Sequence, residues 1–348
     1  MAELTDLHVR QGQGVEFGDD LRMETGLDVN REDGHGPSQF RHLRREPLRR
    51  QVLGNVRQPG HVVGKGRFEK DRLGLVRGDR VLDITHVLDR LQPYRYPLPN
   101  YDPFIGRLEE LREFMECGTA DAPLIPLSGL RLESPVANPG KIVAAPVNYK
   151  KHLQEARRDP QIHHQNQIAD IHRVGLFLKA SSSLIGTSAP IVVRHPERRT
   201  DHEIELAVVI GKTASRVASE RALDYVAGYC IGLDITVRGP EERSLRKSVD
   251  TYTVLGPWLV TADELPDPSC LALNLSVNGQ PRQQAHTRDL IIDVPGLIAF
   301  ATQFYTLMPG DVLLTGTPEG VGPIEPGDVI KSAISGIGEM TTEVTAAS

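Results

Sequence analysis

Glu203-Ile204-Glu205-Leu206-Ala207-Val208-Val209-Ile210-Gly211 has the β-branched content of a buried strand, and a strand alternates its side chains with a period of two. Glu203 and Glu205 therefore share a face. Two like carboxylates side by side in a half-buried sheet repel each other and cost desolvation unless a positive charge lies between them. A second strand-like run, Tyr229-Cys230-Ile231-Gly232-Leu233-Asp234-Ile235-Thr236, carries Asp234 as its only charge. Three oxygen anions converging from strands, with no Cys or His among them, suit a hard divalent ion such as Mg²⁺, Mn²⁺ or Ca²⁺. The same residues also fit a plainer arrangement, in which Glu205 faces outward and Asp234 ends a strand or caps a turn.

The rest of the composition fits a turn-rich β protein. The 348 residues suffice for one large or two ordinary domains. An apolar fraction of 39%, with 32 Gly and 25 Pro, argues against a helical bundle. A net charge of −6 gives no global attraction to nucleic acid or to a membrane surface. The three cysteines, Cys117, Cys230 and Cys270, are odd in number and far apart, which argues against a disulfide framework or a cysteine zinc site and suits a reducing compartment. No apolar run approaches a membrane span, and no apolar signal core opens the chain. The expectation is a soluble, cytoplasmic protein that binds neither nucleic acid nor membrane.

Three segments follow from the pattern. Residues 1–60 are rich in Arg, Asp, Glu, Gln and Gly, lack lysine, and show no periodicity, so they read as a disordered extension. The cluster Arg41-His42-Leu43-Arg44-Arg45 with Arg49 and Arg50 reads as a solvated tail, because acidic residues are interspersed with it. A start site assigned too far upstream would also account for this segment. A mass spectrum placing the natural N-terminus near residue 60 would support that reading, and an intact Met1 would end it.

Residues 61–138 form a small N-terminal β-rich α+β module. It contains a hairpin about Gly78-Asp79 and apolar residues at helical spacing over residues 104–117. Residues 139–348 read as the catalytic domain, mostly short strands. Asn278-Gly279 marks a hairpin. Pro309-Gly310-Asp311-Val312 and Pro326-Gly327-Asp328-Val329 are near-identical turn-to-strand entries that look like adjacent strands. Residues 294–305 and the stretch after His152 read as helix.

Residues 141–149 read as a strand ending in polar residues, followed by Lys150-Lys151-His152-Leu153-Gln154-Glu155. On a helical turn, His152 and Glu155 at i and i+3 share a face. A carboxylate beside an imidazole fixes its tautomer and raises its basicity, as a water-activating base requires. An exposed helix pair has the same spacing.

Taken together, these pieces resemble the fumarylacetoacetate hydrolase superfamily. The resemblance rests on six motifs in the family's order: Asn148-Tyr149-x-x-His152-x-x-Glu155; Leu176-Phe177-Leu178-Lys179; Glu203-x-Glu205-Leu206; Leu233-Asp234-x-Thr236-x-Arg238; Arg246-Lys247-Ser248; and residues 314–322, Leu-Thr-Gly-Thr-Pro-Glu-Gly-Val-Gly. It covers roughly residues 141–345, and residues 70–135 resemble the family's variable N-terminal β domain. The resemblance implies a mainly β fold with a few helices, a layered mixed β-sheet of roll or sandwich form. It implies that Glu203, Glu205 and Asp234 hold Mg²⁺ or Mn²⁺, and that His152 and Glu155 form an acid/base dyad on a mobile lid. It further implies that Lys247 stabilises an enolate and that Arg238 positions substrate. The Thr315-Gly316-Thr317 turn would offer N–H groups and the Thr317 hydroxyl to a substrate carboxylate. Tyr149, Lys179 and Glu241 join the expected substrate-binding set, Lys179 also fitting an ordinary structural lysine. Departures from the family pattern are Pro146-Val147 before Asn148, Glu241 where Gln is frequent, and Ala180 after Lys179. The segment from residue 153 to 174 is long and rich in His and Gln, with His163, His164 and His172 read as solvated.

The implied reaction is hydrolytic C–C cleavage of a small-molecule 1,3-diketo acid of the acylpyruvate or fumarylpyruvate type, in aromatic or carboxylic-acid catabolism, by a homodimer. Decarboxylation of an oxaloacetate-type 2-oxo acid and isomerisation or hydration of a 2-oxo-enoate need the same cation. A non-enzymatic β module with a structural Ca²⁺ or a bound carboxylic acid is the remaining alternative, and it predicts metal-dependent stability without turnover.

Overall fold

The computed structural model describes residues 63–69, 72–117, 124–163 and 169–347. The expected tail over residues 1–60, with its arginine cluster, lies outside the described residues, as do the side chain of His163 and all of His164.

The strand Ile204–Ile210 is buried along its whole length. Its alternation divides it between two cores: Ile204, Leu206, Val208 and Ile210 pack into one, Ala207 and Val209 into the other. Each such Val, Leu or Ile side chain contributes about 1.5–3 kcal/mol when fully buried. The strand pairs antiparallel with Val226–Asp234 in the register Glu205↔Gly232, and on its other side with Val312–Leu314.

These strands lie within a twelve-stranded mixed sheet. Its path runs Leu124–Pro126, Arg80–Asp83, Arg72–Arg77, Val63–Phe68, Thr253–Thr261, Val226–Asp234, Ile204–Ile210, Val312–Leu314, Ile142–Ala144 and Phe177–Lys179, with two short strands off the path. Most neighbours are antiparallel; Val312–Leu314 with Ile142–Ala144, and Thr253–Thr261 with Leu184–Gly186, are parallel. A five-stranded sheet, from Gln280–His286 to Ile191–Val193, and a three-stranded one complete the layers. The protein is thus mainly β with few helices, as expected.

Strands from residues 61–138 continue the sheet of the following segment, because Val63–Phe68 pairs with Thr253–Thr261. Glycine permits this joint: a Cβ on Gly64 would lie 2.1 Å from Cδ1 of Trp258. Both hairpins expected from sequence form, Arg72–Arg77 with Arg80–Asp83 and Ala272–Val277 with Gln280–His286. The helices Leu108–Cys117, Lys150–Arg158 and Val294–Phe304 lie where helical spacing placed them.

Two expectations need correction. The strands Val312–Leu314 and Val329–Ile334, entered by the twin Pro-Gly-Asp turns, are not neighbours; they belong to different sheets. Gly310 and Gly327 adopt the same left-handed backbone, so the shared motif fixes a turn and leaves pairing to the strand that follows. The strand over residues 141–149 is shorter than expected, ending at Ala144. Val147 takes a φ of 48° and turns the chain toward the helix Lys150–Arg158. Among the described residues, no helix is long and apolar enough to cross a membrane.

Candidate functional site

On one face of the large sheet, apolar residues give way to charged ones at the strand ends. Ala207 and Val209 share their strand face with Glu205, Cys230 shares its face with Asp234, and Phe177 with Lys179, because each pair is an even number of residues apart. The apolar members pack into the same core. The charged members are almost wholly buried, as is Glu203. One oxygen from each of Glu203, Glu205 and Asp234 lies within 4.8 Å of the others. The carboxylates converge as expected, although Glu203 stands in the break just before the strand Ile204–Ile210 rather than within it, and the outward-facing reading of Glu205 is excluded.

The three carboxylates differ in their partners. Glu203 accepts from Lys247 Nζ at 2.7 Å, from Arg238 Nη2 at 3.0 Å and from Thr236 Oγ1 at 3.0 Å. Asp234 accepts from Lys247 Nζ at 2.6 Å and Lys179 Nζ at 2.5 Å. Glu205 makes no ion pair among the described residues; the Gly316 N–H donates to it at 2.7 Å. Burial would raise the pKa of Glu203, but the charges of Lys247, Arg238 and His152 outweigh it and hold the carboxyl at about 2. Burial, reinforced by the charge of Asp234, pushes Glu205 well above the usual carboxylate range. An all-oxygen donor set with one member short of positive charge fits a hard divalent cation. Glu203, Glu205 and Asp234 are the residues that would hold it.

The same cluster borders a cavity of about 290 Å³. Also on its wall are His152, Thr317, Arg238, Glu241 and Lys247. His152 is buried on the helix Lys150–Arg158, with Nδ1 2.9 Å from Glu155 Oε2. The other oxygen of Glu155 accepts from the Gly320 N–H at 2.9 Å, which joins the dyad to the glycine-rich turn. The apolar Ala156, Ile162, Ala169 and Val174 also line the cavity. His172 is exposed on the surface.

The remaining expected residues lie at varied distances from the cavity. Arg238 bridges Asp201 and Glu203 from a buried position, and burial is outweighed by those two carboxylates, which raise its pKa. Lys179 is fully enclosed behind Asp234, bonded also to the carbonyls of Lys247 and Tyr252, and burial lowers its pKa despite Asp234. Tyr149 lies under the helix with its hydroxyl buried and unpartnered, and its pKa is raised by burial and by the charge of Glu205. Neither Lys179 nor Tyr149 lines the cavity. Glu241 sits at the exposed rim, held by Arg198 through two hydrogen bonds of 3.1 and 2.7 Å.

The Thr315-Gly316-Thr317 turn differs from its expected use. The Thr315 N–H donates to the carbonyl of Leu206 and the Gly316 N–H to Glu205. These donors therefore order the protein rather than face the cavity. The Thr317 hydroxyl donates to the Ile204 carbonyl at 2.9 Å and accepts from Gln283 at 2.8 Å. Gly316 has a φ of +95°, and a Cβ there would meet that of Asn148 at 2.7 Å.

Sequence reasoning missed Asp201, which pairs with Arg238 and Arg199, and Arg199 in turn reaches Asp159 at the end of the helix Lys150–Arg158. Asp201 lies in the separate strand Thr200–His202 of the three-stranded sheet, and its place just before the Glu203-x-Glu205 run was the signal available. Asn148 was quoted only within a motif, yet its side chain ties the turn to the loop before the helix Val294–Phe304, donating to the carbonyls of Thr315 and Ile292 and accepting from the Ile292 N–H.

Comparison with known proteins gives a consistent picture. Residues 141–345 match the model of the fumarylacetoacetate (FAA) hydrolase C-terminal domain. The chain is 56% identical over 282 residues to maleylpyruvate hydrolase of Aquipseudomonas alcaligenes, covering 80% of this chain and 98% of that one. It is 36% identical over 238 residues to the mitochondrial oxaloacetate tautomerase Fahd2a of Rattus norvegicus, covering 65% and 72%. A crystal structure of maleylpyruvate hydrolase from Sphingobium sp. SYK-6, in complex with manganese(II) and pyruvate, superimposes with a TM-score of 0.70 at 43% identity, covering 82% of this chain and all of that one.

Proposed function

The chain belongs to the fumarylacetoacetate hydrolase family, and on that premise we propose that it is a metal-dependent hydrolase cleaving the C–C bond of an acylpyruvate-type diketo acid, with maleylpyruvate as substrate. The observation that carries this reading is the convergence of Glu203, Glu205 and Asp234 on a cavity also lined by His152. Mn²⁺ or Mg²⁺ bound by those carboxylates would polarise the substrate's 2-oxo and carboxylate oxygens as a Lewis acid and template.

The chain's own groups supply the rest. Glu155 holds Nδ1 of His152, which leaves Nε2 to take a proton from water. The resulting hydroxide attacks the carbonyl at C4. The bond between C3 and C4 breaks, leaving the acyl portion as a carboxylic acid and placing the electron pair on a pyruvate enolate. The Lys247 ammonium supplies positive charge where the enolate forms, and C3 then takes a proton to give pyruvate. Arg238 from the cavity wall and Lys179 from behind fix Glu203 and Asp234 in place, and Thr317 and Glu241 shape the wall and rim. The apolar Ala156, Ile162, Ala169 and Val174 on the wall would limit the water around the reacting atoms. The rat relative's name points to a second activity, keto–enol interconversion, which needs no water attack. The dyad favours hydrolysis. The enzyme would serve aromatic catabolism, in the cytoplasm, as a homodimer.

The test is incubation of the Mn²⁺-loaded protein with maleylpyruvate and product analysis by mass. Equimolar maleate and pyruvate, abolished by EDTA and restored by Mn²⁺, are expected. An unchanged carbon skeleton, or full activity in excess chelator with no metal detected, would overturn the reading.

A further inference from the structure

The short helix Arg243–Lys247 brings three cations to the cavity: Arg243, Arg246 and Lys247. Lys247 belongs to the carboxylate cluster. The other two are unlike the remaining arginines around the site. Arg198, Arg199 and Arg238 each pair with a carboxylate, whereas among the described residues neither Arg243 nor Arg246 makes such a pair. Arg246 is held by backbone carbonyls, donating from Nε to that of Glu241 at 2.8 Å and from Nη1 to that of Val237 at 3.5 Å. Arg243 lies with Cζ 5.6 Å from the centre of the Phe177 ring, and Lys247 Nζ is at the same distance from that ring.

Arg243 therefore stands beside the carboxylate cluster, and Arg246 follows it at i+3 on the same helical face. Both are only partly exposed. The acidic residues next to them are already engaged: Glu241 with Arg198, and Glu242 as acceptor for the Ser244 N–H at 2.6 Å. Burial lowers the pKa of both arginines, while Arg199 and Arg238 are raised by their partners. Two partly exposed guanidinium groups on the cavity wall that make no ion pair among the described residues suit a planar anion.

We propose that Arg243 and Arg246 bind the distal carboxylate of a dicarboxylic diketo acid, and so select such acids over monocarboxylic acylpyruvates. The proposal rests on the diketo-acid reading of the site above. It assigns the two ends of the substrate to different walls. The 2-oxo acid end meets Glu203, Glu205 and Asp234, and the far carboxylate meets the helix Arg243–Lys247. A monocarboxylic substrate leaves both guanidinium groups without an anion.

The test uses two seven-carbon probes that cannot be cleaved, 2-oxoheptanedioate and 2-oxoheptanoate, titrated calorimetrically into the Mn²⁺-loaded protein. They share the 2-oxo acid end and differ in the distal carboxylate. The diacid should bind the unaltered protein at least about tenfold more tightly, as a charge-assisted bidentate contact requires. Arg243→Gln and Arg246→Gln should remove most of that advantage, weakening 2-oxoheptanedioate by a much larger factor than 2-oxoheptanoate. With maleylpyruvate as substrate they should raise KM, and kcat/KM should fall by a larger factor than for acetylpyruvate. Equal affinities of the two acids for the unaltered protein would overturn the proposal, whether or not a variant folds. Equal weakening of both acids in a folded variant would also overturn it, since that marks a structural role. If the affinity gap is present and no diketo acid is cleaved, the arginine subsite stands and the hydrolase reading fails.

Discussion

Glu155 holds His152 and the glycine-rich turn at once: Oε2 lies 2.9 Å from Nδ1 of the imidazole, and Oε1 accepts from the Gly320 N–H at 2.9 Å. One carboxylate thus sets both the tautomer of the base and its position against the sheet. His152→Ala should lower kcat by about 10²- to 10⁴-fold, the usual contribution of a general base. Because His152 is not among the three converging carboxylates, Mn²⁺ binding by calorimetry should be nearly unchanged. Glu155→Gln should give a smaller loss in kcat. Loss of metal together with activity in His152→Ala would contradict this assignment.

Glu203 and Glu205 belong to one carboxylate cluster yet should respond oppositely to neutralisation. Glu203→Gln leaves Arg238 and Lys247 facing an amide, and removing one partner of a buried ion pair typically costs about 3–5 kcal/mol. Glu205→Gln replaces a buried carboxyl that makes no ion pair among the described residues and favours its protonated form, so the metal-free protein should keep or gain stability. Both variants should lose the rise in melting temperature that Mn²⁺ gives the unaltered protein. Urea unfolding of the metal-free proteins separates them, and equal destabilisation would refute the unequal partnering.

Cation entry should displace a proton. Burial and Asp234 raise Glu205 well above the usual range, so the metal-free site holds a proton there to higher pH than an ordinary carboxyl does. The apparent affinity for Mn²⁺ should therefore climb with pH and level off once Glu205 is ionised. Glu203 behaves in the other direction. Its folded pKa of about 2 lies below that of the unfolded chain, so the stability it adds is present above the ordinary carboxylate range and is lost as pH falls toward 2. Calorimetry in buffers of different ionisation enthalpy measures the released proton. Its absence just above the ordinary carboxylate range would show that Glu205 is already ionised there.

The alternation of Glu203 and Glu205 was legible because a strand has only two faces, and burial on both sides leaves no other place for the charges. Asp234 was legible for a related reason, as a lone charge in an apolar run. The pairing of the twin Pro-Gly-Asp strands was not, since a local turn motif carries no information about which distant strand completes the ladder. Nor did the sequence reveal that Lys179 lies behind the cluster rather than in the cavity. That depends on Phe177–Lys179 occupying the sheet edge beside Ile142–Ala144, a long-range pairing. The N–H groups of residues 315 and 316 looked available from the motif alone. Their acceptors, the Leu206 carbonyl and the Glu205 carboxylate, come from a strand about a hundred residues earlier.

Gly316 should tolerate no side chain. Its φ of +95° is a conformation that L residues avoid, and a Cβ would lie 2.7 Å from Cβ of Asn148 and 3.1 Å from the Ala145 carbonyl oxygen. Asn148 is not free to yield, because its amide is fixed by Thr315 and Ile292. Gly316→Ala should therefore cost about 1–3 kcal/mol in backbone strain, with a further penalty from crowding. The shift also draws the N–H away from Glu205, its main hydrogen-bond donor. Calorimetry should record weaker Mn²⁺ binding in Gly316→Ala even when the variant is fully folded by circular dichroism. Unfolding in urea should record the lost stability. If instead the folded variant binds Mn²⁺ as tightly as the unaltered protein, the hydrogen bond between Gly316 and Glu205 does not orient the carboxylate.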